Sequence, residues 1–180
     1  MKNILYLIFI MLSFSIFPAS GQSVKVLNPD EVTEAGLIEM LAPPDGGIRT
    51  RSIRVFSNQP ESLPDGHGSA SMMITFETNS AVLTAEAVHT LDKVGRALKM
   101  DKLAGLDFFI EGHTDPRGSL ALNQNLSQAR AEAVKDYLVW KHSISRERLV
   151  AVGKGFSELA NRENPVAPEN RRVTIVRIDH

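Results

Sequence analysis

The sequence predicts an α/β fold, a two-layer sandwich with the element order β-α-β-α-β-β in which helices pack on a mixed sheet. Short apolar runs that suit buried strands alternate with two longer segments whose apolar residues recur at helical spacing. Strands that are separated by helices favour crossover connections, which place the helices on the sheet. A length of 180 residues with 43% apolar content suits one domain of ordinary size plus an additional segment.

The predicted domain covers residues 72–180, and its elements follow from local signals. Thr84 is a favourable N-cap for the first helix, in which apolar residues recur as far as Leu98. The final strand follows a polar loop instead of a helix, so it need not run parallel to the others, and a mixed sheet is expected. The predicted strands are Met72–Phe76, Leu106–Glu111, Leu149–Val152 and Arg172–Ile178, and the second helix is Leu120–Trp140.

Residues 22–71 are weakly patterned, and we interpret them as a weakly structured N-terminal segment with a linker. Val32–Leu41 can form a short amphipathic helix, which the proline and glycine residues after Leu41 end. Ile48–Phe56 alternates basic and apolar residues and suits a short strand or an extended arm. Asn58–Ser71 is rich in proline, glycine and serine, which is typical of a linker. The arginines of this segment fit a solvated face, so no chemistry is assigned to it.

The first 21 residues predict a signal peptide. Lys2 supplies a positive start, Ile4–Phe17 forms an apolar core, and Ala19 and Gly21 occupy the small-residue positions of a cleavage site. The alternative is an uncleaved anchor, but the apolar run is short for the roughly 20 residues that cross a bilayer. We therefore expect export, with a mature chain that begins at Gln22.

The charge balance and the lack of cysteine exclude several classes of protein. A formal net charge of -1 argues against a nucleic-acid-binding protein, because such proteins carry a basic excess. The chain contains no cysteine, which excludes a disulfide framework and a lipid-modified N-terminal cysteine. The apolar fraction of 43% is too low for a protein that spans a membrane many times.

Two charged residues, Asp115 and Arg130, occupy positions that suggest a ligand site. Asp115 follows a predicted strand, and loops at the carboxyl ends of strands commonly form ligand crevices; the alternative is a turn aspartate that caps its own loop. Arg130 falls on the expected packed face of its helix, where a guanidinium needs an anionic partner. A structural ion pair and an exposed head on a buried stem are the alternatives to a ligand. The expected packed face is Leu126, Ala129, Ala133, Tyr137 and Trp140, and the acids available for an ion pair are Asp115, Glu111 and Glu132.

His113 and Asp115 form a His-x-Asp pair, which can indicate a metal site. The other histidines show no ligand spacing relative to His113, and a catalytic metal usually needs three protein ligands. Gly153 and Gly155 form an isolated Gly-x-Gly, which is too little for a dinucleotide fingerprint. We therefore expect no metal, no cofactor and no enzymatic activity. The competing hypothesis is a metal-assisted hydrolase that uses His113 and Asp115.

Four motifs stand in order along the predicted domain. They are Ile74-Thr75-Phe76 with Asn79-Ser80-Ala81, then Ile110-Glu111-Gly112-His113-Thr114-Asp115, then Asn123 with Leu126-Ser127 and Arg130-Ala131, and finally Asn170-Arg171-Arg172-Val173. Together they resemble the C-terminal domain of the OmpA family, which also includes the peptidoglycan-associated lipoprotein and the flagellar stator protein MotB. The resemblance covers residues 72–178, and four ordered motifs are far more specific than any one of them.

The resemblance implies non-covalent binding of peptidoglycan through the diaminopimelate of its stem peptide. In the family, an acid and an arginine hold this residue, and they correspond to Asp115 and Arg130. Diaminopimelate offers an ammonium group for the acid and a carboxylate for the planar fork of the arginine. The other binding residues that the resemblance implies are Phe76, Thr78, Asn79, Asn123, Leu126, Arg171 and Arg172.

The resemblance also implies a place in the cell envelope, in the periplasm and associated with the outer membrane. A binding module of this kind anchors its protein to the cell wall. The alternative is an envelope scaffold in which residues 22–71 dock a partner protein while the domain holds the wall.

Overall fold

The computed structural model describes residues 24–43 and 68–179. The predicted signal peptide and the Ile48–Phe56 strand or arm lie outside these residues. The strands are Val26–Leu27 (β1), Ser69–Met72 (β2), Asp107–His113 (β3), Leu149–Gly155 (β4) and Val173–Ile178 (β5). The helices are Glu34–Leu41 (α1), Ala85–Leu98 (α2) and Leu120–His142 (α3), with single 3-10 turns at Arg146–Arg148 and Pro168–Asn170.

The strands form one mixed sheet in the order β1-β2-β5-β3-β4. β3 and β4 run parallel, as do β1 and β2, whereas β5 is antiparallel to both of its neighbours. Alternate side chains on one side of the sheet join the buried residues of all three helices in a single apolar core. This confirms the predicted α/β sandwich with a mixed sheet.

The first predicted strand is displaced towards the N-terminus. The apolar run Met72–Phe76 suggested it, but β2 covers Ser69–Met72, and Phe76 makes only an isolated bridge with Leu83. The reason is that β2 is polar on one side: Ser71 Oγ lies 2.8 Å from Thr174 Oγ1 on the sheet side that faces away from the core. A strand of small alternating residues leaves a weaker signal than a continuous apolar run.

Residues 24–43 share the core of the fold, although the sequence analysis placed them outside the domain. The short helix predicted at Val32–Leu41 is present as α1, which begins after the N-cap Thr33. Leu37 and Leu41 of α1 are fully buried in the common core. Two residues of the described chain satisfy carbonyls at the end of α1, because Gly68 N donates to Met40 O and Arg177 Nη1 donates to Leu41 O.

The packed face of α3 differs from the predicted one. The buried residues of this helix are Asn123, Ser127, Ala131, Val134 and Leu138. Trp140, which we expected to be packed, is 79% exposed, and Ala129 is exposed as well. The two faces differ by roughly 100°, the rotation of one helical residue. The prediction was wrong because small and polar residues such as Ser127 and Ala131 share the packed face with Val134 and Leu138, whereas the largest apolar residue, Trp140, does not.

Candidate functional site

Asp115 lies in the segment that leaves the carboxyl end of β3. The backbone N–H of Thr114 donates to Gly155 O (2.8 Å), which holds this segment against the end of β4. The chain then turns through Gly118, whose φ of +95° is a conformation that favours glycine. The Asp115 carboxylate is thereby held inward, and its side chain is only 6% exposed.

Two arginines bind both oxygens of the Asp115 carboxylate. Arg117 donates from Nε to Oδ1 (3.1 Å) and from Nη2 to Oδ2 (2.6 Å), and its backbone N–H also donates to Oδ1 (3.1 Å). Arg171 Nη1 donates to Oδ2 at 3.0 Å. Hydrogen bonds from Arg117, together with that from Arg171, lower the pKa of Asp115 to about 2 against the opposing effect of burial. The carboxylate is therefore ionised throughout the neutral range.

Arg130 lies on α3 at the edge of the packed face, and it is half-buried. Its Nε donates to Ser80 O (3.0 Å), and its guanidinium lies 4.9 Å from the centroid of the Phe76 ring, a cation–π contact. Burial and the charge of Arg171 lower the pKa of Arg130, whereas Asp115 raises it. The sequence left a structural ion pair with Asp115 open, but within the described residues the carboxylate binds Arg117 and Arg171 instead.

The charges of this site do not balance. Arg117, Arg130 and Arg171 supply three positive charges around the single negative charge of Asp115, a net charge of +2. A fully compensated ion-pair network would contain acids and bases in equal number. The site therefore attracts an anionic group while it also contains a buried carboxylate that accepts hydrogen bonds.

Five more of the predicted residues lie in the loop after β2 and on the first turns of α3. Phe76 lies beneath Arg130, while Thr78 and Asn79 are exposed in the following turn, where Asn79 has a φ of 51°. Asn123 is buried on the first turn of α3 and donates from Nδ2 to Arg117 O (2.9 Å). Leu126 is half-buried one turn further along α3. The structure thus brings the first loop and the start of α3 together at Asp115 and Arg130.

Arg172 is not brought to Asp115, unlike its neighbour Arg171. Its side chain is buried, and Nε and Nη1 have no hydrogen-bond partner among the described residues. Burial lowers the pKa of Arg172, and the charges of Glu158 and Glu111 partly offset this. The charged groups that act on Arg172 are thus Glu158 and Glu111, and Asp115 is not among them.

His113 is buried and electrically neutral. Burial, with the charges of Arg172 and Lys154, lowers its pKa to about 3. Neither ring nitrogen has a hydrogen-bond partner in the described chain, and Glu111 pairs with Lys154 (3.1 Å). Within residues 24–43 and 68–179, no group of three or more histidine, cysteine, aspartate or glutamate side chains is placed to hold a metal ion.

Sequence reasoning missed the roles of Arg117 and Ser80. The sequence analysis gave Arg117 no role, because an arginine in an exposed turn is usually solvated, and only the structure shows that the Asp115 carboxylate accepts from it. Ser80 contributes through its backbone carbonyl, which no side-chain pattern can reveal.

Comparison with known proteins identifies the family. The profile described as OmpA family matches residues 75–172, more than half of the chain. The chain belongs to the OmpA family. This agrees with the resemblance that the four motifs predicted.

Two relatives and one solved structure show how far the similarity extends. The chain is 32% identical over 142 residues to the outer-membrane lipoprotein YfiB of Pseudomonas aeruginosa, covering 74% of this chain and 80% of that protein. It is 36% identical over 101 residues to the peptidoglycan-associated lipoprotein of the same species, covering 56% of this chain and 58% of that protein, so less than two thirds of that relative is matched. The OmpA-like domain of FopA1 from Francisella tularensis superposes with a TM-score of 0.52 at 21% identity, covering 59% of this chain and 69% of that one, and supports the fold. In the described part of this OmpA-family chain, no helix has the length and apolar character that a bilayer crossing requires.

Proposed function

We propose that this OmpA-family chain binds peptidoglycan non-covalently and anchors its protein to the cell wall, without catalysis. The family membership supports this, and one relative is named for its association with peptidoglycan. The proposal places the protein in the periplasm, in association with the outer membrane. A partner protein for residues 22–71 is a separate proposal. Deletion of residues 44–67 would test it, because removal of residues 24–43 would take Leu37 and Leu41 out of the core.

One observation carries the proposal: a buried, ionised carboxylate lies beside arginines that it does not neutralise. Asp115 stays ionised because the guanidinium groups of Arg117 and Arg171 bind it. Arg130 lies close enough for its charge to interact with that of Asp115. A ligand that suits this arrangement carries an ammonium group and at least one carboxylate. The diaminopimelate of the peptidoglycan stem peptide has both.

The side chains suggest which groups of the ligand they receive. Asp115 would accept the ammonium group of diaminopimelate. Arg130 uses Nε for the Ser80 carbonyl, so its terminal amino groups remain for a carboxylate, which a planar guanidinium binds well. The Phe76 ring, whose centroid lies 4.9 Å from the guanidinium, would support Arg130 through this cation–π contact.

The remaining residues would form the walls of the binding site. Arg171, which binds Asp115, would add a second cation beside Arg130 for the carboxylate of the ligand. Asn123 would hold the turn that contains Arg117 through its hydrogen bond to Arg117 O. Thr78, Asn79 and Leu126 would contact the rest of the stem peptide. Arg172 lies apart from the Asp115 carboxylate, so we propose that it affects binding indirectly, by positioning the start of β5.

Co-sedimentation with purified sacculi tests this function. We expect the full chain to sediment with sacculi, and Asp115→Asn or Arg130→Gln to remove most of the binding. Loss of one partner from a desolvated charge pair costs about 2–5 kcal/mol of binding free energy. Asp136→Asn is the matched control, since Asp136 forms an exposed pair with Arg146.

Two results would contradict the proposal. Unchanged sedimentation of both site variants would rule out Asp115 and Arg130 as the binding pair. Release of soluble fragments from the sacculi by the purified protein would show catalysis, and a metal assay on the same sample would then test the hydrolase hypothesis.

A further inference from the structure

The strongest ion pair at Asp115 is formed by a residue of the same turn. Arg117 binds both carboxylate oxygens through its side chain, with distances of 3.1 and 2.6 Å. This two-point geometry is the one in which an arginine binds a carboxylate most specifically. In the ligand-free protein, the place that the ammonium group of a ligand would take is thus occupied by a guanidinium.

The two partners differ greatly in exposure. The Asp115 side chain is 6% exposed, whereas the Arg117 side chain is 66% exposed. The fold therefore encloses the Asp115 side chain, whereas most of the Arg117 side chain lies in solvent. The Arg117 side chain can swing into solvent by rotation of its own torsions, with no change in the backbone turn.

Arg171 behaves differently from Arg117. It also reaches Asp115, from Nη1 at 3.0 Å, but its side chain is only 38% exposed, and it contacts only one carboxylate oxygen. Its Nη1 also donates to Val166 O (3.4 Å), so this backbone contact can keep Arg171 in place and the carboxylate ionised after Arg117 has left. The two arginines have separable roles, one permanent and one displaceable.

We propose that Arg117 is an internal competitor for Asp115, which makes the site select amino-acid head groups over simple amines. This inference rests on the proposed function. A simple amine that binds Asp115 displaces Arg117 but supplies no anion for the freed guanidinium. It also adds a positive charge to a site whose net charge is already +2. A head group with an ammonium and a carboxylate on one carbon displaces Arg117 from Asp115 and offers the freed guanidinium, or Arg130, a new anion.

The competition has a consequence for the cell wall. In a stem peptide with diaminopimelate as its third residue, the side chain ends in an ammonium and a carboxylate on one carbon. The ammonium pairs with Asp115, and the carboxylate pairs with an arginine. A stem peptide that carries lysine at this position presents an ammonium group without the adjacent carboxylate, and the site would bind it less well. Arg117 is thus a specificity-determining residue rather than an essential ligand contact.

The test compares two probes on the full chain, meso-diaminopimelate and cadaverine, which has the same five-carbon spacing of amines but no carboxylate. We expect the wild-type protein to prefer diaminopimelate by calorimetric or NMR titration. Arg117→Gln should raise the affinity for cadaverine by about two- to fivefold, the range expected for an exposed ion pair. The preference for diaminopimelate over cadaverine should therefore be smaller in this variant. Arg146→Gln is the control, since Arg146 pairs with Asp136 at an exposed position.

A second measurement follows the arginine directly. The Nε–H of Arg117 donates to Asp115 in the ligand-free protein, so its NMR signal should move towards that of a solvated arginine when diaminopimelate is added. A role for Arg117 in the turn alone would leave this signal in place.

The outcomes separate this inference from the proposed function. If wild-type binds diaminopimelate and Arg117→Gln loses both probes equally, Arg117 is a binding contact, and the competition is disproved while the function stands. An unchanged preference in the variant disproves it in the same way. If the wild-type protein binds neither diaminopimelate nor sacculi, both the function and the inference fail.

Discussion

At the scale of single residues, His113 and Asp115 respond to acid in different pH ranges. His113 is buried beside the charges of Arg172 and Lys154, which together with burial lower its pKa to about 3. Hydrogen bonds from Arg117 and Arg171 lower the pKa of Asp115 to about 2. In both cases the unfolded chain takes up a proton at a higher pH than the folded chain does, so stability falls as the pH falls.

Between pH 6.5 and 4 the effect of His113 should dominate. An unfolded histidine is protonated below pH 6.5, whereas His113 in the folded protein resists protonation down to about pH 3. The loss approaches about 1.4 kcal/mol per pH unit in this range, so about 2.5 kcal/mol of unfolding free energy should be lost between pH 7 and pH 4.5. The contribution of Asp115 is lost only below pH 3.8, as the pH falls towards 2.

Urea denaturation at a series of pH values measures this loss. His113→Gln cannot titrate, so its unfolding free energy should change less between pH 7 and 4.5 than that of the wild-type protein. His89→Gln is the control, because His89 is exposed on α2. Parallel pH profiles for wild-type and His113→Gln would show that His113 is not the group responsible.

The residues of the site were predictable to different degrees. Asp115 follows a strand and Arg130 follows an apolar pattern, so both leave a signal in the sequence, and the family motifs reinforce it. Arg117 leaves none, because an arginine in an exposed turn is usually solvated, and only the inward direction of Asp115 gives it a partner. Their shared role as a binding site stays a prediction.

At the scale of elements, α3 lies unusually close to β3 and β4. A Cβ added at Gly112 would come 2.2 Å from Ser127 O, and one at Gly153 would come 2.6 Å from Gln128 N. Gln128 uses this proximity: it accepts from Gly153 N (2.6 Å) and donates to Ala151 O (3.2 Å), which satisfies backbone groups of the edge strand β4. The two glycines therefore determine how closely α3, which carries Arg130, packs on β3, which leads to Asp115.

Gly153→Ala tests this packing. The added methyl group would meet helix backbone, which cannot move as a flexible side chain can, so we expect a loss of about 1–3 kcal/mol of unfolding free energy. The change would also displace Arg130 from Asp115, so sacculus binding should weaken. Gly105→Ala is the control, since a Cβ at Gly105 meets nothing within 4 Å. Equal stability of the two variants would contradict the close approach.

The same close approach explains why the face of α3 was mispredicted. Helical periodicity finds the side with the largest apolar residues, and on α3 these include Trp140, which is exposed. The side that packs carries Ser127 and Ala131, because only small residues fit against Gly112 and Gly153. The existence and limits of the helix were predictable from sequence, but its rotation depended on glycines in distant strands.

At the scale of the whole molecule, residues 24–43 complete the sheet and close the core. β1 adds a parallel strand beside β2, and Met73 N donates to Leu27 O (2.9 Å) just beyond the paired residues. Arg96 of α2 forms an exposed ion pair with Glu34 of α1. These contacts join sequence positions more than 40 residues apart across the linker, a distance at which local patterns carry no information.

The stability of a Leu37 variant shows whether the folded unit begins at residue 72 or includes α1. Leu37 is fully buried in the common core, so Leu37→Ala should cost about 2–5 kcal/mol of unfolding free energy through lost burial and the cavity left behind. Val24→Ala is the matched control, because Val24 is 47% exposed, and such a surface change is expected to stay within about 0.5 kcal/mol. Both variants are measured by urea denaturation of the full chain, with a single transition expected for α1 and the sheet together. A wild-type midpoint for Leu37→Ala, or a separate early transition for α1, would place the boundary of the cooperative unit after residue 43 and leave residues 24–43 as an appended segment.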